Sequence, residues 1–186
     1  KNGGEAILTG NHHRSGSDRI FEGYQKLKIN NIDYILNLQG DEPSINENDI
    51  INLNNMMIET NSCIGTLGAE IKDKKIFSNE NFVKVATEKK LNSKNSSLAL
   101  SFKRKHIFKE EENIYHHIGI YAYKVKTLEK FINLNQTKNE TQNKLEQLRA
   151  LDNDLKINVS LAKSSSIGVD TREDYLALKK IMEYKS

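Results

Sequence analysis

Apolar and polar positions along the chain follow two rhythms, one of short runs and one of helical spacing. Glu5-Ala6-Ile7-Leu8-Thr9 is a short apolar run ending in polar residues, which predicts a buried strand. Ser15-Gly16-Ser17-Asp18 reads as a helix entry, with Ile20, Phe21, Tyr24 and Leu27 following at helical spacing. Tyr34-Ile35-Leu36-Asn37-Leu38 is nearly continuous in apolar character, the pattern of a central parallel strand covered on both faces. It stops at Gln39-Gly40-Asp41-Glu42-Pro43. Asn46 then offers an N-cap with Asp49 three residues on, and Ile50, Leu53, Met57 and Ile58 mark a second helix. Strand, helix, strand, helix is the rhythm of an α/β sheet with right-handed crossovers.

The middle of the chain changes character. Residues 63–71, 82–87, 97–102 and 118–125 read as strands with few helical signals between them, and the charged stretch 103–113 reads as a loop. Helical spacing resumes at Thr127–Leu134 and around Leu145, Leu148 and Leu151. Ile157–Leu161 alternates like a strand, and Ile167-Gly168-Val169 leads into a last helix carrying Tyr175, Leu178 and Met182. There is no internal repeat and no low-complexity linker. The expected architecture is a single α/β domain over residues 1–186, an open, mostly parallel sheet with a β-rich insertion and not a closed barrel.

Composition narrows the classes. The 186 residues are 37% hydrophobic and 28% charged, as one soluble domain would be. The longest apolar runs fall far short of the ~20 residues a membrane span needs. A single cysteine, Cys63, supplies neither a disulfide nor a multi-thiolate metal site, and its apolar surroundings predict inert core. The net charge of +3 comes from scattered lysines with no basic block, which gives no support to nucleic-acid binding.

Six stretches are candidates for chemistry. In an open α/β sheet, ligands bind beyond the carboxyl ends of the strands, where Gln39-Gly40-Asp41-Glu42-Pro43 falls. Its carboxylates are hard oxygen ligands suited to Mg²⁺, although an acidic turn after a strand is also common. Thr171 with Asp174 resembles a capping box, so Asp170, in Gly168-Val169-Asp170-Thr171, is either a helix-entry acid that favours the dipole or a second strand-end ligand. Asp41 and Asp170 together could share one Mg²⁺ across the top of the sheet. His12-His13 and His116-His117 are adjacent pairs; on strands their rings point to opposite faces, so neither pair is expected to chelate one metal. Leu145-Glu146-Gln147-Leu148-Arg149 is amphipathic, with polar members that would ordinarily be solvated. The basic run Lys103-Arg104-Lys105-His106 is either a mobile loop or a binder of an anionic sugar acid.

In this order, these stretches resemble the 3-deoxy-manno-octulosonate cytidylyltransferases, the CMP-KDO synthetases. His13-Arg14-Ser15-Gly16-Ser17-Asp18-Arg19 is similar to that family's His-x-Ser-Gly-Thr-Glu-Arg segment, and Asn37–Pro43 to its nucleotide and metal loop. Asn81–Val85, His117–Tyr123, Leu145–Arg149 and Gly168–Thr171 complete the series, so the likeness covers almost the whole chain. It implies a fold of nucleotide-diphospho-sugar transferase type. It also implies transfer of CMP from CTP to 3-deoxy-manno-octulosonate (KDO), with release of pyrophosphate, for lipopolysaccharide synthesis. Carried over, Asp41 and Asp170 ligate Mg²⁺ and serve catalysis, and Ser15, Gln39 and Gly40 contact the nucleotide. Arg104, His117, Tyr121, Glu146 and Gln147 form the KDO pocket. The family also implies a homodimer through the β-rich middle, where Ile118, Ile120 and Val125 fit an interface or plain core equally well, and a cytoplasmic enzyme.

Two departures shape these expectations. The family's early loop rich in Arg, Ser, Gly and Lys, which grips the CTP phosphates, has no match here, so the chain is expected to be an N-terminally truncated piece that is poorly active alone. The sugar-facing segment reads Phe102-Lys103-Arg104-Lys105-His106-Ile107-Phe108 where the family has Phe-Ser-Arg-x-x-Ile-Pro. That leaves a modified sugar acid, such as an amino-substituted KDO, as an alternative substrate. A different sugar nucleotidyltransferase on the same fold and a non-catalytic remnant are the other readings.

Overall fold

The computed structural model describes residues 5–73, 75–105, 113–163, 168–169 and 172–183. The elements are α1 (Gly16–Leu27), β1 (Tyr34–Asn37), α2 (Glu47–Thr60), β2 (Ile64–Ala69), α3 (Lys75–Ser78), β3 (Lys84–Thr87), β4 (Ser97–Lys103), β5 (Asn113–Lys124), α4 (Val125–Ile132), α5 (Lys138–Asn143), α6 (Gln147–Asp152), β6 (Ile157–Leu161) and α7 (Arg172–Glu183). Helices α1, α2, α4 and α6 pack against one six-stranded sheet whose strands bury most of their side chains.

Local chemistry explains the helix ends. Ser15 caps α1 by accepting the Asp18 N–H, and the helix stops at Lys28 in the left-handed conformation. Asn46 caps α2 by accepting the Asn48 N–H, and Asn61 closes it, again left-handed. The α5 start is a full capping box between Thr137 and Glu140. Sequence spacing located α1, α2 and α4 but not the short α3 and α5, which have too few turns to show a period.

The strand pairing departs from the expected open, mostly parallel sheet. The order is β1-β5-β2-β6-β4-β3, and β3 pairs back onto β5, so β5, β2, β6, β4 and β3 close into a ring. Among the described strands the sheet is mixed, with β2 and β6 parallel and every other pairing antiparallel. Closure depends on the 12-residue length of β5. Its first half pairs with β3 and its second half with β1, while β2 runs along its other edge. The register shifts between Thr66 and Leu67, whose partners are Tyr121 and Ile118, so Gly119 and Ile120 bulge out of the ladder. A period-2 pattern reveals that a strand exists but says nothing of its neighbours' direction.

Three further expectations are corrected. Residues 5–10 form no strand, and Leu8 is 91% exposed. β1 pairs, among the described residues, with β5 alone, and Tyr34, Ile35 and Leu36 are only half-buried. Cys63 lies just before β2 and is exposed, not core. The core itself falls in two clusters, one on each side of the sheet: Phe21, Ile64, Leu128, Phe131 and Leu148 on one, and Leu53, Met57, Leu67, Ile118 and Ile120 on the other. Ile118 and Ile120 are 1% exposed within the single chain, which makes them core and removes them from any interface. Gly65 permits the close seat of α2 on β2, since a Cβ there would stand 2.5 Å from Met57 Sδ.

Candidate functional site

Five segments converge at one end of the sheet: the α1 N-terminus, the loop after β1, the β5 bulge, the α5–α6 corner and residues 168–169. Asn37, the last residue of β1, is buried and pairs with Tyr121. Gly16, at the start of α1, faces Gln39 and Asn37, whose amide nitrogens lie 3.6 and 3.7 Å from where its Cβ would stand. Ser15, Gln39 and Gly40 are thereby brought to one helix N-terminus, where backbone N–H groups and the helix dipole favour an anion. Asp41 is exposed, and its carbonyl accepts the Val169 N–H at 2.8 Å. The Glu42 carboxylate lies against both Gly119 and Gly168. Asp170 itself, with Thr171, lies outside the described residues.

Behind this rim runs a ladder of rings. Phe102 meets His117 edge-on at 5.1 Å, His117 lies 5.4 Å from Tyr121, Tyr121 stacks on Tyr123 at 5.8 Å, and Tyr123 stacks on Phe131 at 6.1 Å. The Arg149 guanidinium covers Phe131 at 4.7 Å. Two polar atoms on the ladder side, Tyr121 Oη and Glu146 Oε1, are buried without a hydrogen-bond partner among the described residues. Arg149 Nη2 is 3.8 Å from that Glu146 oxygen, an ion-pair distance. Burial raises the Glu146 carboxyl above its usual range, with Ser15, Ser17 and Arg149 opposing the rise. Buried polar atoms without partners are costly, and a hydroxyl-bearing ligand would supply what both lack.

His117 has an assignable tautomer. The Thr66 hydroxyl donates its one proton to the Ile120 carbonyl at 2.7 Å, so at its 2.9 Å contact with His117 Nε2 it accepts. Nε2 therefore carries the proton. Burial, helped by His116, holds the His117 pKa down to about 3. Burial and Lys84 hold His116 at about 4. Both lie below the unfolded value near ~6.5, so between these limits the unfolded chain binds more protons. Stability is fully present above pH ~6.5 and is lost as pH falls towards the folded values. The expected loss is about 2 kcal/mol per histidine between pH 7 and pH 5. Urea unfolding at both pH values measures it, and His117→Asn should remove about half the fall; an unchanged fall would refute the assignment.

The structure brings most of the expected residues together. Ser15, Gln39, Gly40, Asp41, His117, Tyr121, Glu146 and Gln147 all lie on these segments. Arg104 stands apart, its Nη1 donating to the Glu80 carbonyl at 3.3 Å. Its own carbonyl accepts from Lys84 Nζ, a fully buried ammonium that also donates to the Asn79 carbonyl at 2.7 Å and whose pKa burial lowers. The 145–149 segment is not a solvated surface: Gln147 and Arg149 are buried. Arg149 makes a bidentate pair with buried Glu140, at 2.9 and 2.7 Å, and so ties α6 to α5 beside Glu146. Asn37, Lys84 and Tyr123 fall within the quoted motifs without a role of their own, and Thr66 is not singled out. A polar Asn37 inside an apolar run and Lys84 inside a strand were the available signals.

The two histidine pairs behave differently. His116 and His117 sit on β5 and face opposite ways, towards Phe82 and Phe102 respectively, as strand geometry requires. His12 and His13 do not, because residues 11–13 are not a strand, and their rings lie 4.6 Å apart.

A family model described as cytidylyltransferase matches residues 1–157. The 3-deoxy-manno-octulosonate cytidylyltransferase of Bartonella bacilliformis is 39% identical over 181 residues, taking in 97% of this chain and 74% of that protein. The protein of the same description from Thermodesulfovibrio yellowstonii is 38% identical over 195 residues, with the same 97% and 74% coverage. A solved structure of CMP:2-keto-3-deoxy-manno-octonic acid synthetase complexed with CTP superposes with a TM-score of 0.83 at 30% identity, covering 99% of this chain and 74% of that one. UDP-glucose pyrophosphorylase complexed with UDP-glucose matches at a TM-score of 0.63 and 12% identity, over 91% of this chain and 62% of that one; likeness at that identity speaks for the fold alone.

Proposed function

Because the chain belongs to the cytidylyltransferase family, we propose that it transfers CMP from CTP to KDO, giving CMP-KDO and pyrophosphate for lipopolysaccharide synthesis. The observation that carries this reading is the pair of buried atoms with no hydrogen-bond partner among the described residues, Tyr121 Oη and Glu146 Oε1, the latter held only at ion-pair distance from Arg149. A polyhydroxylated sugar acid has hydroxyls for both.

In this reading Ser15, Gln39 and Gly40 hold the nucleotide, with the α1 N-terminus favouring its phosphates. Tyr121, Glu146, Gln147 and the Nε2-protonated His117 read the sugar hydroxyls. Arg104 takes the sugar carboxylate by exchanging its bond to the Glu80 carbonyl for a two-pronged pair. Asp41 and Asp170 would hold Mg²⁺. The fit rests on the hard carboxylate donor of Asp41 and on the Val169 N–H bonded to its carbonyl, which tethers the residue before Asp170 beside it. Bound there, Mg²⁺ supplies charge neutralisation at the α-phosphate and the departing pyrophosphate. Positioning and electrostatics then suffice, with no covalent enzyme intermediate. The cytoplasm, where CTP is made available, is the proposed compartment, and no helix among the described residues is long and apolar enough to cross a membrane. A homodimer is proposed on the family likeness alone.

The test measures pyrophosphate release from CTP with KDO and Mg²⁺, using both the 186-residue chain and the protein translated from its complete coding sequence. Release by the latter that requires KDO and stops with EDTA is the expected result. Release without KDO, or a kcat/KM that favours an amino-substituted KDO by a wide margin, would overturn the substrate assignment.

A further inference from the structure

The segment that leads into Ser15 brings His12 and His13 against Glu22 of α1. Each offers one ligand atom, and the three atoms lie within 4.8 Å of one another. We propose that these side chains bind one borderline divalent cation, of the zinc, cobalt or nickel type, with at least one coordination position left open. It shares no residue with the Mg²⁺ site expected at Asp41 and Asp170.

The carboxylate is held ready. Glu22 Oε1 pairs with Lys26 Nζ at 2.5 Å, while the Gly10 N–H donates to Oε2 at 3.0 Å and Oε1 at 3.3 Å. Those contacts fix the carboxylate plane and leave Oε2 directed at His13 Nε2, with which it is in direct contact. Lys26 above all, then Gly10 and His13, hold the Glu22 pKa well below the usual carboxylate range. A partner on the non-ligating oxygen is the usual outer support of a metal-bound carboxylate.

The histidines are carried by a strap that is itself tied to the helix. Arg19 Nη1 donates to Thr9 Oγ1 at 2.7 Å and to the Gly10 carbonyl at 3.0 Å, and Lys26 Nζ donates to the Leu8 carbonyl at 2.9 Å. The His12 ring lies so close over Gly10 that a Cβ there would stand 2.5 Å from its Cε1. Only glycine lets the ring sit beside His13. The ligands thus come from two elements already fastened together, which lowers the ordering cost of binding.

The donor set decides the ion. Two imidazoles and one carboxylate suit zinc and its neighbours, whereas Mg²⁺ prefers oxygen donors and keeps its waters. A tetrahedral ion spaces its ligand atoms about 3.3–3.5 Å apart, so His13 and Glu22 separate slightly and His12 closes in. Three protein ligands leave the fourth position to water or a small anion. It opens towards a groove of about 440 Å³ that Arg14, Asp18, Gln25 and Ile132 also line. Without an ion, the same contact is a histidine–carboxylate pair, and this is what the experiment must distinguish.

The untagged chain, stripped with EDTA and dialysed, is titrated with Co²⁺ while its visible absorption is followed. One equivalent is expected to bind, Zn²⁺ to displace it, and millimolar Mg²⁺ to leave it in place. His12→Ala and Glu22→Gln should each weaken binding at least about tenfold. His116→Asn, on the distant strand, should not. His12 is exposed, so His12→Ala tests the site without unfolding the strap, and circular dichroism verifies both variants. Failure to take up Co²⁺, or uptake with an affinity that neither variant changes, would overturn the proposal whatever the outcome of the pyrophosphate assay.

Discussion

Asp41→Asn should cut CMP transfer by about 10²–10⁴ while leaving the fold intact. The carboxylate sits on the exposed loop after β1 and contributes nothing to the core, so an isosteric change costs less than ~0.5 kcal/mol of stability. The backbone bond from the Val169 N–H to the Asp41 carbonyl survives, because it does not involve the side chain. What disappears is one negative charge at the place proposed for Mg²⁺. A metal that neutralises developing charge in phosphoryl transfer contributes several kcal/mol, and each 1.36 kcal/mol is about tenfold in rate. Initial rates of pyrophosphate release across a Mg²⁺ series are the measurement. The variant should show a lower kcat and a higher Mg²⁺ requirement. Turnover within threefold of the parent would remove Asp41 from the metal site.

Arg149→Met should be the most damaging single change to stability, at about 3–5 kcal/mol. Arg149 and Glu140 are 3% and 6% exposed in their side chains, and the pair is bidentate. Removing the guanidinium leaves Glu140 as a buried charge, although the Thr137 N–H and Gln136 side chain still donate to it at 3.3 Å. For a chain of this length that loss lowers Tm by roughly 6–20 °C. The double replacement Glu140→Leu with Arg149→Met should recover most of it, since an apolar pair of similar volume often matches a buried ion pair. Thermal and urea unfolding of the single and double variants test this directly. If the single variant loses less than ~1 kcal/mol, the pair is not what holds the α5–α6 corner. Because Glu146 and Gln147 stand on that corner, the single variant should also raise KM for the sugar acid.

Much of the chain's local structure can be read from its residues. Ser15 and Asn46 announce helix starts because their side chains accept backbone N–H groups that a helix leaves unpaired. The motif series pointed to the right family, and the segments named for the nucleotide and most of those named for the sugar do converge. The limits appear wherever a neighbour distant in sequence decides the outcome. Arg149 and Gln147 look like surface on a helical wheel, but both are buried, Arg149 between Glu140 and Phe131. His12 and His13 were expected to point apart, and they lie together because their strap is bonded to α1 and not to a strand.

What the sequence by itself determined, then, is the place of the longer helices and of most strands, the family and the chemical character of the loops, because capping, periodicity and motif order are properties of neighbouring residues. The tertiary structure alone decided the antiparallel pairings, the closure of the strands into a ring through a long, bulged β5, and the burial of Tyr121 Oη and Glu146 Oε1 without a hydrogen-bond partner among the described residues. The physical reason is the same in each case. Strand direction, burial and hydrogen-bond satisfaction depend on partners brought together across the chain, and a pattern with period two or 3.6 carries no record of them.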